Sequence, residues 1–482
     1  MKLLVPFVVL ASCAPVGRQG PVPTWVNDTS SYGGPNQVSP VVARYRDVAA
    51  KIIATARADR GGYKKLAYLT DHVGARLAGS AELDKAIAWA AQAMKDDGLD
   101  VRTEKVMVPH WVRGVQEGAI KSPVDRPLRL LTLGGSVATP KGGITAPVVV
   151  VHDWKDLEAK SEHVKGAIVV YNVAMPQWTA EHGSGYGKIV EYRSRGASEA
   201  AKRGAVAVLV RSVTAKSLST LHTGAMGYHK DHPKIPAAAI TVEDAELLDR
   251  LTGDGKVSVF IRLEPQVLPE VESANVIGEL RGSEKPDEVV VIGGHLDSWD
   301  VGQGAHDDGA GCVTMMQAVR VLKQLGLTPR RTIRVVLFTN EENGVRGARA
   351  YAEQHKAELG KHVLALESDS GGFAPRGFGV GHKDKEAAKR VQARLTEIAA
   401  LMGPLGRLHV DQGHGGTDIE PMAPAGVPQV GLVVDSRTYF DYHHTEADTL
   451  DKVDPQDIAD MVAAVAVLAY VVADLPDRVD AP

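Results

Sequence analysis

From residue 270 onward the sequence alternates between apolar strand patterns and helical patterns. The strand patterns EVVVIGG, TIRVVLFTN, HVLALES and VPQVGLVVD are each followed by a helix pattern, directly or after a loop. Such alternation is typical of a largely parallel sheet with helices on both faces. The last apolar stretch, 457–475, carries Asp near both ends and is short, so it predicts a buried helix rather than a membrane span.

Segment 145–262 follows a different pattern. Its short apolar runs are bounded by Gly or Pro, which is typical of strands in a compact β-rich unit. Because it lies between early helical patterns and the alternating region, we interpret it as an insertion. A chain of 482 residues is long enough for two or three such units. The formal charge of −4, with no basic stripe, argues against nucleic acid as a partner.

The N-terminus predicts export. Residues 1–13, MKLLVPFVVLASC, resemble a bacterial lipoprotein signal that ends at a lipidated Cys13. Residues 14–38 contain many Pro, Gly and Ser residues and are predicted to be a flexible tether. We therefore expect a protein of the cell envelope, facing the periplasm or the exterior, whose only link to the membrane is the lipid on Cys13.

Acidic residues and histidines follow the predicted strands at the points where the strands end. Since the carboxyl ends of parallel strands meet at one edge of a sheet, these side chains are expected to lie together. So many carboxylates in one dry cleft would raise each other's pKa unless cations were present. The residues concerned are His295, Asp297, Asp307, Asp308, Glu341, Glu342, Glu367, Asp369, His443 and His444.

Histidine and carboxylate together are typical zinc ligands. Their number exceeds what one catalytic zinc with an open position accepts, and it suits two zinc ions that share a carboxylate. The sequence therefore predicts two zinc ions, with Asp307 or Asp308 as the shared ligand.

Two further roles follow from spacing. Asp297 lies two residues after His295, on the same face of an extended chain, where it can orient the imidazole. Of the adjacent Glu341 and Glu342, one can bind metal while the other acts as general base on the bound water. The resulting hydroxide would attack a carbonyl carbon, and the base would return the proton to the leaving amine.

At these positions the chain resembles the co-catalytic zinc exopeptidases of the aminopeptidase fold. The resemblance implies a mostly parallel mixed sheet flanked by helices, with a β-rich protease-associated domain inserted at 131–265. The catalytic domain would then take 40–130 and 266–478. The motifs that carry the resemblance are DHVGARLAGS (71–80), GGHLDSWDVGQGAHDDGAG (293–311), FTNEENG (338–344), LESDSGG (366–372), GHGGTDIEPM (413–422) and YFDYHHTEADT (439–449).

The resemblance also implies residue roles. Glu341 would be the general base, and Asp297 would orient His295. His444 rather than His443 would bind metal, because such enzymes have Asp-Thr four residues after the ligand. The implied metal ligands are His295, Asp307 and Asp369 for one zinc, and Asp307, Glu342 and His444 for the other.

Two residues near the implied metal ligands, Tyr442 and His306, also differ in what the resemblance implies for them. Tyr442 would hydrogen-bond the tetrahedral oxyanion. His306 is a departure, since an apolar residue is usual before the bridging aspartate, and it could perturb the metals or cover them.

The activity implied is exopeptidase hydrolysis of short peptides or dipeptides. Which peptide terminus is recognised stays open, with Arg76, Arg346 and Glu420 as candidate contacts. The alternatives are a binding protein on the same scaffold and a glutaminyl cyclase. The intact ligand set disfavours the first, and the insertion disfavours the second, which uses one zinc and has no inserted domain. Because relatives often dimerise, a homodimer also fits.

Overall fold

The computed structural model describes residues 39–481, and within them the chain forms two eight-stranded sheets. The predicted signal with Cys13 and the predicted tether 14–38 lie outside the described residues and stay predictions. The strands, in chain order, are β1 (Asp100–Val112), β2 (Gln116–Ser122), β3 (Arg126–Pro127), β4 (Leu130–Thr132), β5 (Ile144–Val151), β6 (Ile168–Tyr171), β7 (Ala207–Arg211), β8 (Ala237–Ile240), β9 (Ser258–Leu263), β10 (Gln266–Leu280), β11 (Lys285–His295), β12 (Arg331–Phe338), β13 (His362–Glu367), β14 (Pro375–Gly381), β15 (His409–Gln412) and β16 (Gln429–Val434).

Helices connect most of these strands and cover the sheets. Those of α type, in chain order, are α1 (Pro40–Ala58), α2 (Gly61–Tyr68), α3 (Ala81–Asp96), α4 (Trp154–Ala159), α5 (Ser161–Val164), α6 (Tyr186–Ser194), α7 (Gly196–Ala201), α8 (Val242–Asp254), α9 (Ala310–Gln324), α10 (Arg346–Gln354), α11 (Lys385–Ala399), α12 (Tyr439–Tyr442) and α13 (Pro455–Asp474).

The first sheet has the order β1-β10-β12-β11-β13-β16-β14-β15. Its four central strands, β12, β11, β13 and β16, are parallel to one another. Antiparallel pairing adds β10 and β1 on one side and β14 on the other. This is the mostly parallel mixed sheet that the alternating pattern predicts, and the carboxyl ends of its four central strands lie at one edge.

Both faces of this sheet are buried. Alternate residues of β11 point to opposite sides, so Val290 and Ile292 join a core with α1, α9 and α13, while Val289 and Val291 join a second core with α10. Helix α13 is long and apolar enough to cross a membrane, but 83% of its most apolar window is buried within the described part of the chain. The long apolar stretch is therefore a core helix, as predicted.

The second sheet has the order β3-β2-β9-β5-β6-β7-β8-β4 and takes its strands from residues 116–263. It therefore begins earlier than the predicted boundary at residue 131. The reason is long-range pairing: β2 lies antiparallel to β9, with Gln116 opposite Leu263. The chain passes from the first sheet to the second at Gly114. The φ of this residue is +67°, which favours glycine, and its close approach to the Glu264 carbonyl leaves no room for a Cβ atom. That the unit containing the second sheet is a protease-associated domain stays a prediction.

Candidate metal centre

The central strands bring the predicted ligands to one edge of the first sheet. His295 is the last residue of β11, Glu342 lies in the turn after β12, and Asp369 lies two residues beyond β13. His444 follows α12, which lies after β16, and Asp307 lies in the turn before α9. All five are buried except Asp369, whose side chain is 23% exposed.

Asp307 lies between two groups of side chains. Its Oδ1 atom is 3.3 Å from Nε2 of His295, and that nitrogen is 3.6 Å from Oδ1 of Asp369. Its Oδ2 atom is 3.2 Å from Nε2 of His444, which is 3.1 Å from Oε2 of Glu342. Each carboxylate oxygen of Asp307 therefore faces a different set of ligand atoms, as a bridging carboxylate must.

Several atoms that point into this space have no hydrogen-bond partner within residues 39–481. They are buried, and leaving such atoms unpaired costs free energy unless a ligand contacts them. Nitrogen and oxygen atoms of these types are suitable zinc ligands, so the residues fit a metal centre. The unpaired atoms are Nε2 of His295, Oδ2 of Asp307, Oε1 of Glu342 and Oδ1 of Asp369.

The electrostatics also favour cations. Burial, together with repulsion by Asp307, raises the pKa of Glu342 to about 7. Burial would also raise the pKa of Asp307, but the close imidazoles of His295 and His444 hold it well below the usual value. Burial alone would lower the pKa of His444, yet Glu342 and Asp307 raise it to about 10. Divalent cations would stabilise these ionised carboxylates in the same way.

Neighbouring acids predicted alongside this set have other contacts. Asp308, the alternative bridge, turns toward α9 and accepts a hydrogen bond from the Gly311 N–H at 3.0 Å. Glu367 accepts hydrogen bonds from the N–H groups of Asp418 (2.9 Å) and Ile419 (3.0 Å). Glu367 therefore fixes the loop that contains GHGGTDIEPM.

Asp297 contacts His295 through its main chain and not, as the spacing predicts, through its carboxylate. The Nδ1 atom of His295 is 2.9 Å from the main-chain carbonyl oxygen of Asp297 and 4.0 Å from its carboxylate. The carboxylate instead accepts hydrogen bonds from the main-chain N–H groups of Glu341 (3.0 Å) and Glu342 (3.3 Å). Asp297 thus contacts three candidate site residues, His295 through its backbone and the two glutamates through its side chain.

Two buried residues support the turn that carries Asp307. The carboxylate of Asp448 accepts hydrogen bonds from the main-chain N–H groups of His306 (2.7 Å) and Asp307 (3.1 Å). The guanidinium of Arg76, which is fully buried, donates to the carbonyl groups of Leu296 and Gln303, at 2.6 and 2.8 Å, and to two further carbonyls. Arg76 therefore has a structural role and is not free to bind a peptide carboxylate.

His306 and Tyr442 belong to one aromatic stack. The His306 ring lies between Phe373 (centroids 4.4 Å apart) and Tyr442 (5.6 Å). Nδ1 of His306 accepts a hydrogen bond from the Gly372 N–H, and burial lowers its pKa to about 4. Its unusual polar side chain is therefore a neutral packing element. Tyr442 makes no hydrogen bond or ion pair to Asp307 within the described residues.

A loop and a helix that connect strands of the second sheet contribute support that the sequence did not reveal. The N–H of Thr223 donates to the main-chain carbonyl of His444 at 3.0 Å, and the carbonyl of Thr223 is 3.2 Å from Nδ1 of the same histidine. The Arg193 guanidinium, from α6, donates to that carbonyl at 3.3 Å and to the Tyr186 hydroxyl at 2.8 Å. An imidazole that binds metal through Nε2 is oriented by such a contact at Nδ1.

Replacement of Arg193 by methionine is expected to weaken metal binding by about 10-fold. This is the lower end of the loss in metal affinity that is usual when a residue supporting a metal ligand is removed. The reason is that the Thr223 carbonyl loses the donor that fixes it against His444. Competition with a chromogenic chelator would measure zinc affinity. Tyr186→Phe is the control, since it removes the hydroxyl that accepts from Arg193 at 2.8 Å and leaves the contacts of Arg193 with Thr223 and His444 in place. Unchanged zinc affinity in Arg193→Met would contradict this role.

The sheet and the site together are those of an α/β metallohydrolase. The family model described as peptidase family M28 matches residues 275–469. Carboxypeptidase Q of Mus musculus is 42% identical over 446 residues, 92% of this chain and 92% of that protein. Carboxypeptidase Q of Homo sapiens is 40% identical over 446 residues, with the same coverage.

Solved structures of peptidases are similar to this chain as well. A peptidase M28 precursor from Shewanella amazonensis is 38% identical, with a TM-score of 0.85 over 90% of this chain and 98% of that one. BSAP, a zinc aminopeptidase from Bacillus subtilis, is 22% identical, with a TM-score of 0.62 over 85% of this chain and 94% of that one, which shows the likeness of fold.

The chain belongs to peptidase family M28. The predicted class, a zinc-dependent exopeptidase, is confirmed. The motif series also predicts a particular likeness to carboxypeptidase Q, and the identities above confirm it. The two alternatives, a binding protein and a glutaminyl cyclase, gain no support from these relatives.

Proposed function

We propose that the chain hydrolyses the terminal peptide bond of short peptides or dipeptides with two zinc ions bridged by Asp307. The observation that carries the proposal is the position of Asp307, whose two oxygens face separate ligand sets at 3.3 and 3.2 Å. His295 and Asp369 would complete one zinc site. Glu342 and His444 would complete the other. When bound, the two zinc ions would polarise the peptide carbonyl and lower the pKa of water.

Glu341 is the proposed general base. It lies in the turn after β12, and its N–H is anchored at 3.0 Å to the carboxylate of Asp297. Burial raises the pKa of Glu341 well above its usual value, with repulsion from Asp369, Glu342 and Asp297 adding to the rise. A carboxylate with a raised pKa takes a proton from water more readily, and it can return that proton to the departing amine nitrogen.

The test is a panel of free dipeptides and of dipeptides blocked at either end, with metal content measured in parallel. We expect hydrolysis of free dipeptides, its loss on chelation, and full recovery at two equivalents of zinc. The blocked peptides identify the terminus that must be free. Recovery at one equivalent would contradict the two-zinc centre, and a metal-loaded protein that cleaves no member of the panel would contradict the substrate class.

A further inference from the structure

His443 has no role in the proposed site, yet its ring lies beside Asp307, the proposed shared ligand. It stacks on His444, with centroids 3.5 Å apart and planes 19° from parallel. Both Nε2 atoms face Oδ2 of Asp307, at 3.2 Å for His444 and 3.8 Å for His443. The side chain of His443 is buried, with about 9% of its surface exposed.

The imidazole of His443 makes no hydrogen bond within residues 39–481. A separation of 3.8 Å is longer than a hydrogen bond, so Asp307 accepts none from this ring. No other polar contact of the ring is present among residues 39–481, whereas aromatic rings hold it on several sides. Those rings are Tyr186 (5.3 Å), Tyr439 (5.1 Å) and Phe440 (5.0 Å). The ring of His443 is therefore held in place by its aromatic neighbours, and its Nε2 atom lies beside Asp307 without a hydrogen bond to a described residue.

Tyr442, the residue that the resemblance implies for oxyanion binding, is placed differently. Its ring stacks on His306 with planes 8° from parallel, and His306 stacks on Phe373 in turn. Of the two adjacent residues, it is His443 whose side chain reaches Asp307.

We propose that His443 is a catalytic residue that donates a hydrogen bond from Nε2 to the oxyanion of the tetrahedral intermediate. The inference rests on the proposed exopeptidase function. A neutral imidazole with its proton on Nε2 supplies one such donor. No proton moves in this contact: the negative oxygen develops when water adds to the carbonyl carbon, and the donor stabilises it until the C–N bond breaks. A donor fixed in advance stabilises this charge at no reorganisation cost.

The experiment compares three variants of the full chain loaded with zinc. His443→Phe keeps an aromatic ring against His444 and removes the donor. His443→Gln keeps an N–H group near the position of Nε2. Tyr442→Phe removes only the phenol hydroxyl. The measurements are kcat and KM on the best-cleaved dipeptide of the panel, inhibition by its phosphinic pseudodipeptide, which mimics the tetrahedral state, and zinc content.

We expect His443→Phe to lower kcat by about 10²–10³-fold, the usual loss for one oxyanion donor, with little change in KM. Affinity for the phosphinic pseudodipeptide should fall by the same factor while zinc content stays unchanged. His443→Gln should recover part of both, and Tyr442→Phe should behave like the wild type. A purely structural role for His443 would not link kcat to affinity for the phosphinic compound.

Normal kcat and phosphinic affinity in both His443 variants would overturn the inference. Loss of zinc from both would also overturn it, because His443 would then support the metal. A loss confined to Tyr442→Phe would assign the oxyanion contact to the tyrosine. Glu341→Gln separates the two proposals: if it is inactive while the His443 variants are normal, only this inference fails, and if it is fully active, the proposed mechanism itself fails.

Discussion

Replacement of Glu341 by glutamine is expected to lower kcat by about 10²–10⁴-fold while the fold and the zinc content stay unchanged. Glutamine has nearly the same shape as glutamate, but its amide cannot take a proton from water. The main-chain N–H of residue 341 would keep its hydrogen bond to Asp297, so the turn after β12 should hold its conformation. Because the defect lies in the chemical step, KM should change much less than kcat.

The matched control is Glu342→Gln, one residue further along the same turn. The Glu342 carboxylate lies 3.1 Å from Nε2 of His444, so this change should remove a metal ligand and reduce the zinc content. Kinetics and metal analysis on both variants would separate a base from a ligand. If Glu341→Gln retained activity within a few-fold of the wild type, another group would have to serve as the base.

The first sheet, and the meeting of the candidate ligand residues at its edge, could be predicted from the sequence because both depend on local patterns. Strand and helix periods in 270–475 predict parallel order, and parallel order places strand ends together. His295, Glu342 and Asp369 come within a few residues of those ends, so the chain has little freedom to carry them elsewhere. The sequence did not separate Asp307 from Asp308, because the difference between them lies in where each carboxylate points: that of Asp307 lies 3.3 Å from His295, and that of Asp308 accepts the Gly311 N–H.

The supporting contacts could not be predicted in this way because they join distant parts of the chain. Thr223 and Arg193 contact the Nδ1 atom of His444, at 3.2 and 3.5 Å, across more than 200 positions, and no period in the sequence relates them. The same holds for the pairing of Gln116 with Leu263, which places the start of the second sheet before residue 131. Arg76 is a candidate for substrate binding in the sequence because it is a charged residue within a motif. The sequence gives no sign that main-chain carbonyl groups surround its guanidinium.

These contacts also change how the second sheet is understood. A unit inserted in a catalytic domain can be a passive addition. Here its main chain at Thr223 makes a two-point contact with His444, and its Tyr186 packs against Phe440 and His443. The connections of the second sheet therefore help to orient His444 in the proposed metal centre, so zinc affinity should respond to changes in them.

Replacement of Asp307 by alanine is expected to abolish activity and to remove both zinc ions together. No other described residue places one oxygen near His295 and another near His444. Without it, each metal would keep two protein ligands, one histidine and one carboxylate, which is fewer than the three or four that protein zinc sites use. Metal analysis after gel filtration would measure the loss, and circular dichroism would verify the fold.

Three further variants make the test specific to a bridge. Asp369→Asn and Glu342→Gln each change one ligand set, so each should lower the zinc content by about one equivalent and leave the other site occupied. Asp308→Asn alters the neighbouring carboxylate, whose Oδ1 accepts the Gly311 N–H, and should keep both metals. If Asp307→Ala still held two zinc ions, the shared-ligand arrangement would be wrong, because only a ligand common to both sites can empty both when it is removed alone.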